Sequence, residues 1–140
     1  MPARAHAQWS GGLRSGSGSF TAGEGIGGQF SFRSRFEDGP GANPEQLIAA
    51  AHASCFSMAL SAGLEQAGTP AESVSTDAEV TLRMVDGAPT VTAIALRTTG
   101  VVPGIDQDTF VRAAEEAKAN CPISRALAGV PEITLQATLA

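Results

Sequence analysis

Five side chains in this sequence could act together on a redox substrate: Cys55, Cys121, His52, Arg35 and Glu45. The chain holds only two cysteines, 66 residues apart, which is not the C-x-x-C spacing of a zinc knuckle or a thioredoxin-type pair. Free cysteine is most often a small buried hydrophobe, and Cys55, in the middle of an apolar segment, fits that description. Cys121 precedes Pro122 at a helix start, where the dipole and free backbone donors lower a thiol pKa. Local physics therefore ranks Cys121 above Cys55 as a nucleophile. His52 lies three residues before Cys55, so the two share a helix face and could form an activated thiol–imidazole pair. A lone histidine in such a helix is more often a core residue held by one hydrogen bond. Arg33 and Arg35 are ordinarily a solvated face and Glu45 an ordinary helix-start anion. Their spacing is what draws notice, since Arg35 lies ten positions before Glu45 and Glu45 ten before Cys55.

Two histidines and two cysteines without paired spacing make no credible metal site, and no cofactor motif is present. The glycine run from Gly23 to Gly28 resembles a phosphate loop, but it lacks a lysine and leads into no helix, so it reads as a turn. With 9 basic against 14 acidic residues, a net charge of -5 and no basic stripe, nucleic acid is excluded as the main partner. A length of 140 residues with 43% hydrophobic and 16% charged side chains suits one globular domain over residues 1–140. The first residues show no signal-peptide pattern, so a cytoplasmic location with reduced thiols is expected. Only Leu47 to Leu64 could suggest a membrane span. Its Ala, Ser and Gly content and the internal His52 favour a buried soluble helix and no membrane.

The elements that must position these residues can be read in order. A strand over Ala3–Trp9 is followed by another over Ser19–Ala22, with Gly and Ser turns around them. Gln29 to Phe36 alternates, with Phe30, Phe32 and Phe36 on one face and Arg33 and Arg35 on the other, and predicts a half-buried third strand. Asn43 then caps a helix, with Pro44 at its first position and Gln46 completing a capping box. That helix should run to Ala67 and stop at Gly68. Apolar all round, it predicts burial on every side, more than one small domain provides, and hence a second subunit. Val74 to Val85 and Thr90 to Thr99 form a hairpin about Asp86-Gly87. A helix capped by Asp106 or Asp108 ends near Asn120, a short one opens at Cys121-Pro122 and runs to about Ala128, and a last strand covers Glu132–Leu139. The order is β-β-β-α-β-β-α-α-β, an α+β chain.

Several stretches resemble the signatures of the osmotically inducible protein C (OsmC) and organic hydroperoxide resistance family. They are Arg35-Phe36-Glu37, Gly41 to Leu47, Ala50 to Leu60 and Asn120-Cys121-Pro122-Ile123-Ser124, and the His52-Ala53-Ser54-Cys55-Phe56 wording favours the OsmC branch. Ala42 and Arg125 depart from residues common in the family. The resemblance implies an intertwined OsmC-like homodimer with a long buried central helix and two sites at the subunit interface. It implies a thiol peroxidase that reduces organic hydroperoxides and hydrogen peroxide, with Cys55 as peroxidatic thiol and Cys121 as resolving thiol. This reverses the ranking from local physics.

Arg35 would stabilise the Cys55 thiolate, Glu45 would hold Arg35 by a bidentate pair, and Phe56, Met58 and His52 would line the substrate site. An external dithiol, of the lipoyl type in some relatives, would reduce the Cys55–Cys121 disulfide. Glu45 and Cys55 would be ~15 Å apart on a straight helix, so a break or offset between them is expected, with Arg33 as the alternative cation. The competing readings are a non-catalytic dimer binding a small molecule in an apolar interface cavity, and a dimer in which the disulfide is only a staple.

Overall fold

Glycine turns organise the beginning of the chain. The computed structural model describes all 140 residues, and these form two compact units, 1–47 and 48–140. In the first, β1 (Ala5–Ser10), β2 (Ser17–Ala22) and β3 (Ile26–Phe30) make an antiparallel sheet in sequence order. Gly23 and Gly25, with φ of 57° and 79°, turn the chain between β2 and β3 in the left-handed region that glycine tolerates. Across the sheet, Trp9 pairs with Gly18 and Gly18 with Phe30. A Cβ on Gly18 would lie 2.5 Å from the Phe30 ring, so the missing side chain lets the Trp9 and Phe30 rings meet at 5.5 Å.

The alternation from Gln29 to Phe36 does not continue as a strand. β3 ends at Phe30, and Phe32–Phe36 form a short helix, α1. Ser31 Oγ accepts from the Ser34 N–H at 3.1 Å, and the Ser31 N–H donates to Ser34 Oγ at 2.8 Å. This reciprocal capping box overrides a period-2 pattern only a few residues long. Ser34 Oγ also donates to the Ala42 carbonyl at 2.7 Å, fixing the loop that follows. Arg33 and Arg35 therefore leave a helical turn, and Arg33 reaches Glu37 at 3.6 Å with both side chains largely in solvent.

The long helix α2 spans Pro44–Gln66. Asn43 Oδ1 accepts from the Gln46 N–H at 2.8 Å, as an N-cap should, but the Gln46 side chain makes no return bond and the expected box is only half formed. Gly68, at φ 82°, ends the helix in the left-handed conformation. No break separates Glu45 from Cys55, contrary to the expected offset.

The second unit completes the order with β4 (Ser73–Val85), β5 (Ala88–Val101), α3 (Gln107–Asn120), α4 (Pro122–Ala126) and β6 (Glu132–Leu139). Asp86 and Gly87, both at positive φ, close the β4–β5 hairpin, and β6 joins β5 in parallel after the α3–α4 crossover. Asp106, not Asp108, caps α3 by accepting from the Thr109 N–H at 2.8 Å. The α+β class stands, with one helix more than expected.

The core of this unit gathers Phe56, Leu60 and Leu64 from α2, Ile94 and Leu96 from β5, and Phe110, Ala114 and Ala117 from α3. His52, Phe56, Leu60 and Leu64 recur every four residues, so one stripe of α2 is buried. The rest of the helix is not, with Met58 75% and Leu47 40% exposed. The expected burial on every side is therefore absent within one chain. The helix is long and apolar enough to cross a membrane by length and composition, yet its stripe belongs to a protein core.

Candidate redox site

The candidate residues fall into two groups. In the first unit, α1 presents Arg35 and the first turn of α2 presents Glu45. Arg35 Nη2 donates to Glu45 Oε1 at 2.8 Å, and Nε donates to Oε1 and Oε2 at 3.2 and 3.3 Å. This is the bidentate geometry that fixes a guanidinium in orientation as well as position. Glu45 is buried and Arg35 partly exposed, with the guanidinium 5.4 Å from the Phe36 ring centre. A cavity of about 200 Å³ lies beside it, walled by Trp9, Leu13, Phe30, Phe32, Phe36 and Arg35. Asn43 Nδ2 donates to the Ser34 carbonyl at 3.2 Å, so the α2 cap also ties α1 in place.

In the second unit, α2 carries Cys55 and the junction of α3 and α4 carries Cys121. Their sulfurs lie 2.9 Å apart in an S–H···S hydrogen bond, and both thiols are free. Cys121 is fully buried, whereas Cys55 keeps contact with solvent. Burial pushes the Cys55 thiol up, and its hydrogen bond to Cys121 adds to this against the N–H of Ile123. Burial acts the same way on Cys121 but is outweighed there. The neighbouring Cys55 thiol and the donor groups of Ser124 and Ile123 at the start of α4 bring that thiol below its usual range. The local ranking from sequence, with Cys121 as the more acidic thiol, matches this environment.

His52 lies fully buried, with Nε2 2.6 Å from Ser124 Oγ and Nδ1 unpaired, and burial lowers its pKa. Neither His52 nor Phe56 has any surface in this chain with which to touch a substrate, because both point into the core. Met58 points the other way and is exposed. The three residues expected to line the substrate site are thus not brought together. Ser124, which sequence reasoning passed over, lies within hydrogen-bond distance of His52. Its signal was its position three residues after the helix-opening Cys121. No three His, Cys, Asp or Glu side chains converge as metal ligands.

Fold and site together define an α+β protein with a close pair of free thiols and an anchored arginine. The family model for OsmC-like proteins matches residues 37–136. The chain is 45% identical over 134 residues to the peroxiredoxin OsmC of Escherichia coli (strain K12), covering 94% of this chain and 92% of the other. To the organic hydroperoxide resistance protein of Xanthomonas axonopodis pv. citri it is 34% identical over 99 residues, covering 69% and 67%. The organic hydroperoxide resistance protein OhrB of Bacillus subtilis superposes with a TM-score of 0.73 at 23% identity over 98% of both chains. An OsmC-like protein from Mycoplasma pneumoniae gives 0.76 at 14% identity over 100% and 98%. These structures speak for the fold. The chain belongs to the OsmC-like protein family, as its sequence motifs suggested.

Proposed function

We propose that the protein is a thiol peroxidase that reduces organic hydroperoxides through Cys55 and Cys121. The observation that carries this reading is the 2.9 Å contact between a solvent-reaching sulfur and a buried one, contributed from positions 66 residues apart. Cys55 is the attacking atom because only it can be reached, despite the more acidic environment of Cys121. Cys55 attacks the distal peroxide oxygen as its thiolate, and the proton it gave up ends on the alkoxide oxygen that leaves. The O–O bond breaks, the alcohol leaves with a proton, and Cys55 becomes a sulfenic acid. Cys121 then attacks the Cys55 sulfur, water leaves and a disulfide forms. An external dithiol restores both thiols, and each cycle moves two electrons without a metal or flavin.

Arg35, oriented by Glu45, polarises the peroxide and stabilises the developing charge. The apolar cavity beside it supports an organic rather than a small inorganic peroxide. On the unbroken α2, Glu45 and Cys55 are ~15 Å apart along the axis. We therefore place the active unit in a homodimer, covering the exposed face of α2, in which Arg35 of one chain serves Cys55 of its partner. The two compact units act as one domain within it.

The test is consumption of tert-butyl hydroperoxide with dithiothreitol. Turnover should fall at least about 10³-fold in Cys55→Ser. Turnover equal in Cys55→Ser and the natural chain would overturn the reading. Mixing Arg35→Ala and Cys55→Ser chains should recover part of the activity, since one site per mixed dimer is then complete. No recovery would place Arg35 and Cys55 in the same chain.

A further inference from the structure

Two side-chain hydrogen bonds join α2 to the segment that carries Cys121. One is the S–H···S contact of the thiols at 2.9 Å, and the other runs between Nε2 of His52 and Oγ of Ser124 at 2.6 Å. They are spaced alike, with His52 three residues before Cys55 and Ser124 three after Cys121. The segment needs such ties. Its helix α4 has five residues, too few to be stable alone, and Ile123 and the following Leu127 are only partly buried against the core.

The peroxidase cycle removes the first of these bonds. Once Cys55 is a sulfenic acid, its contact with Cys121 as a pair of thiols is gone. Cys121 must nevertheless reach it, and closing the disulfide brings the sulfurs from 2.9 Å to about 2.05 Å. The His52–Ser124 bond takes no part in that chemistry. His52 is fully buried and Ser124 only 7% exposed, so water cannot readily replace either partner, and Nδ1 of the imidazole has no bond of its own. Breaking the bond would strand buried polar groups, which makes it a stiff tie. We propose that the His52–Ser124 bond is a latch that keeps Cys121 against Cys55 while Cys55 is a sulfenic acid, and so guards that sulfur from further oxidation. His52 and Ser124 are positioning residues, and the assignment rests on the thiol-peroxidase reading. It accounts for a histidine that lies one turn from Cys55 yet is directed at the segment bearing the other thiol.

Two reactions compete for the sulfenic acid. Attack by the Cys121 sulfur on the Cys55 sulfur forms the S–S bond, breaks the S–OH bond and releases water. Attack by the sulfenate on a second hydroperoxide instead breaks another O–O bond and releases a second alcohol. Cys55 is then oxidised to a sulfinic acid as the peroxide is reduced. The first rate is independent of peroxide and the second is proportional to it. Reduced protein is therefore treated with rising tert-butyl hydroperoxide and no reductant. Intact mass separates the disulfide, a loss of two hydrogens, from the sulfinic acid, a gain of two oxygens. The concentration that gives equal amounts is a ratio of the two rates and does not depend on how fast Cys55 is first oxidised.

In Ser124→Ala that concentration should fall about tenfold, the effect of leaving one buried polar group unpaired. Ser124→Thr, which keeps the hydroxyl, should restore it to within about threefold. In the double variant His52→Leu with Ser124→Ala it should fall no further than in the lower of the two single variants, because both changes break one bond. An unchanged concentration in Ser124→Ala overturns the proposal. So does an equal fall in Ser124→Ala and Ser124→Thr, which would mean packing rather than hydrogen bonding. A further fall in the double variant overturns it too, since the two side chains would then act separately. If the natural chain forms neither product, the peroxidase reading fails and takes the latch with it.

Discussion

Residues 1–47 and 48–140 reach order by different physics. Every buried apolar residue of the core, from Phe56 to Cys121, belongs to the second unit. The first unit buries only Ser34 and Glu45, although five of the seven aromatic side chains, the one Trp and four of the six Phe, lie in it. Its sheet is held by glycine turns and aromatic pairs, and its helix by a serine capping box. The same division runs through the candidate site. Arg35 and Glu45 meet across ten residues through a cap and a turn, whereas Cys55 and Cys121 meet across 66 because a hydrophobic core brings α2 against the α3–α4 junction. A side chain held by short-range bonds can be altered without unfolding the chain. One held by the core cannot be moved without a cost in stability.

That contrast can be broken or sharpened most strongly by one change made in both units. Leu60→Ala should lower unfolding free energy by about 3 kcal/mol, within a range of roughly 2–5, as read from denaturant midpoints. Leu13→Ala, at a side chain 64% exposed, should change it by no more than about 0.5 kcal/mol. A cost at Leu13 near that at Leu60 would mean the first unit is covered far more than one chain shows, and the contrast would fail.

Arg35→Ala should reduce hydroperoxide turnover roughly 10- to 100-fold with little loss of thermal stability. Arg35→Lys should not rescue it, since an ammonium cannot reproduce the two-point pairing with Glu45. Full activity in Arg35→Lys would reduce the pair to a simple charge. Smaller again, Ser31→Ala removes half of the α1 capping box and should cost about 1 kcal/mol. Hydrogen exchange should show the loss confined to residues 32–36, and a loss spread into α2 would show that the capping is not local.

The smallest effect is a pH dependence from His52. Its folded pKa lies below the usual 6.5, so between the two values the unfolded chain binds the extra proton. The stability it contributes is complete above pH 6.5 and is lost as pH falls through that value toward the folded pKa. Melting temperature should therefore drop between about pH 7 and pH 5, and more steeply than in His52→Gln. Parallel curves for the two proteins would mean that His52 titrates alike in the folded and unfolded chain.

Much of this was legible without coordinates because its causes are local. The Asp86-Gly87 turn, the Asn43 cap, the Gly68 stop and the alternation of β6 each rest on a few neighbouring residues, and the structure has them where expected. The family, too, was written in short motifs around Cys55 and Cys121. The misreading of residues 31–36 is instructive for the same reason. Two local signals competed there, and hydrogen bonds between Ser31 and Ser34 outweighed the pattern of the phenylalanines.

What sequence by itself determined was which elements form and which residue types are available for thiol chemistry. Tertiary structure alone decided that Cys55 is the sulfur in reach of solvent and that Cys121 lies 2.9 Å behind it. It alone turned His52 toward Ser124 rather than toward a substrate. Access, burial and hydrogen-bond partners depend on what packs from distant parts of the chain, and no spacing along α2 encodes what lies across from it.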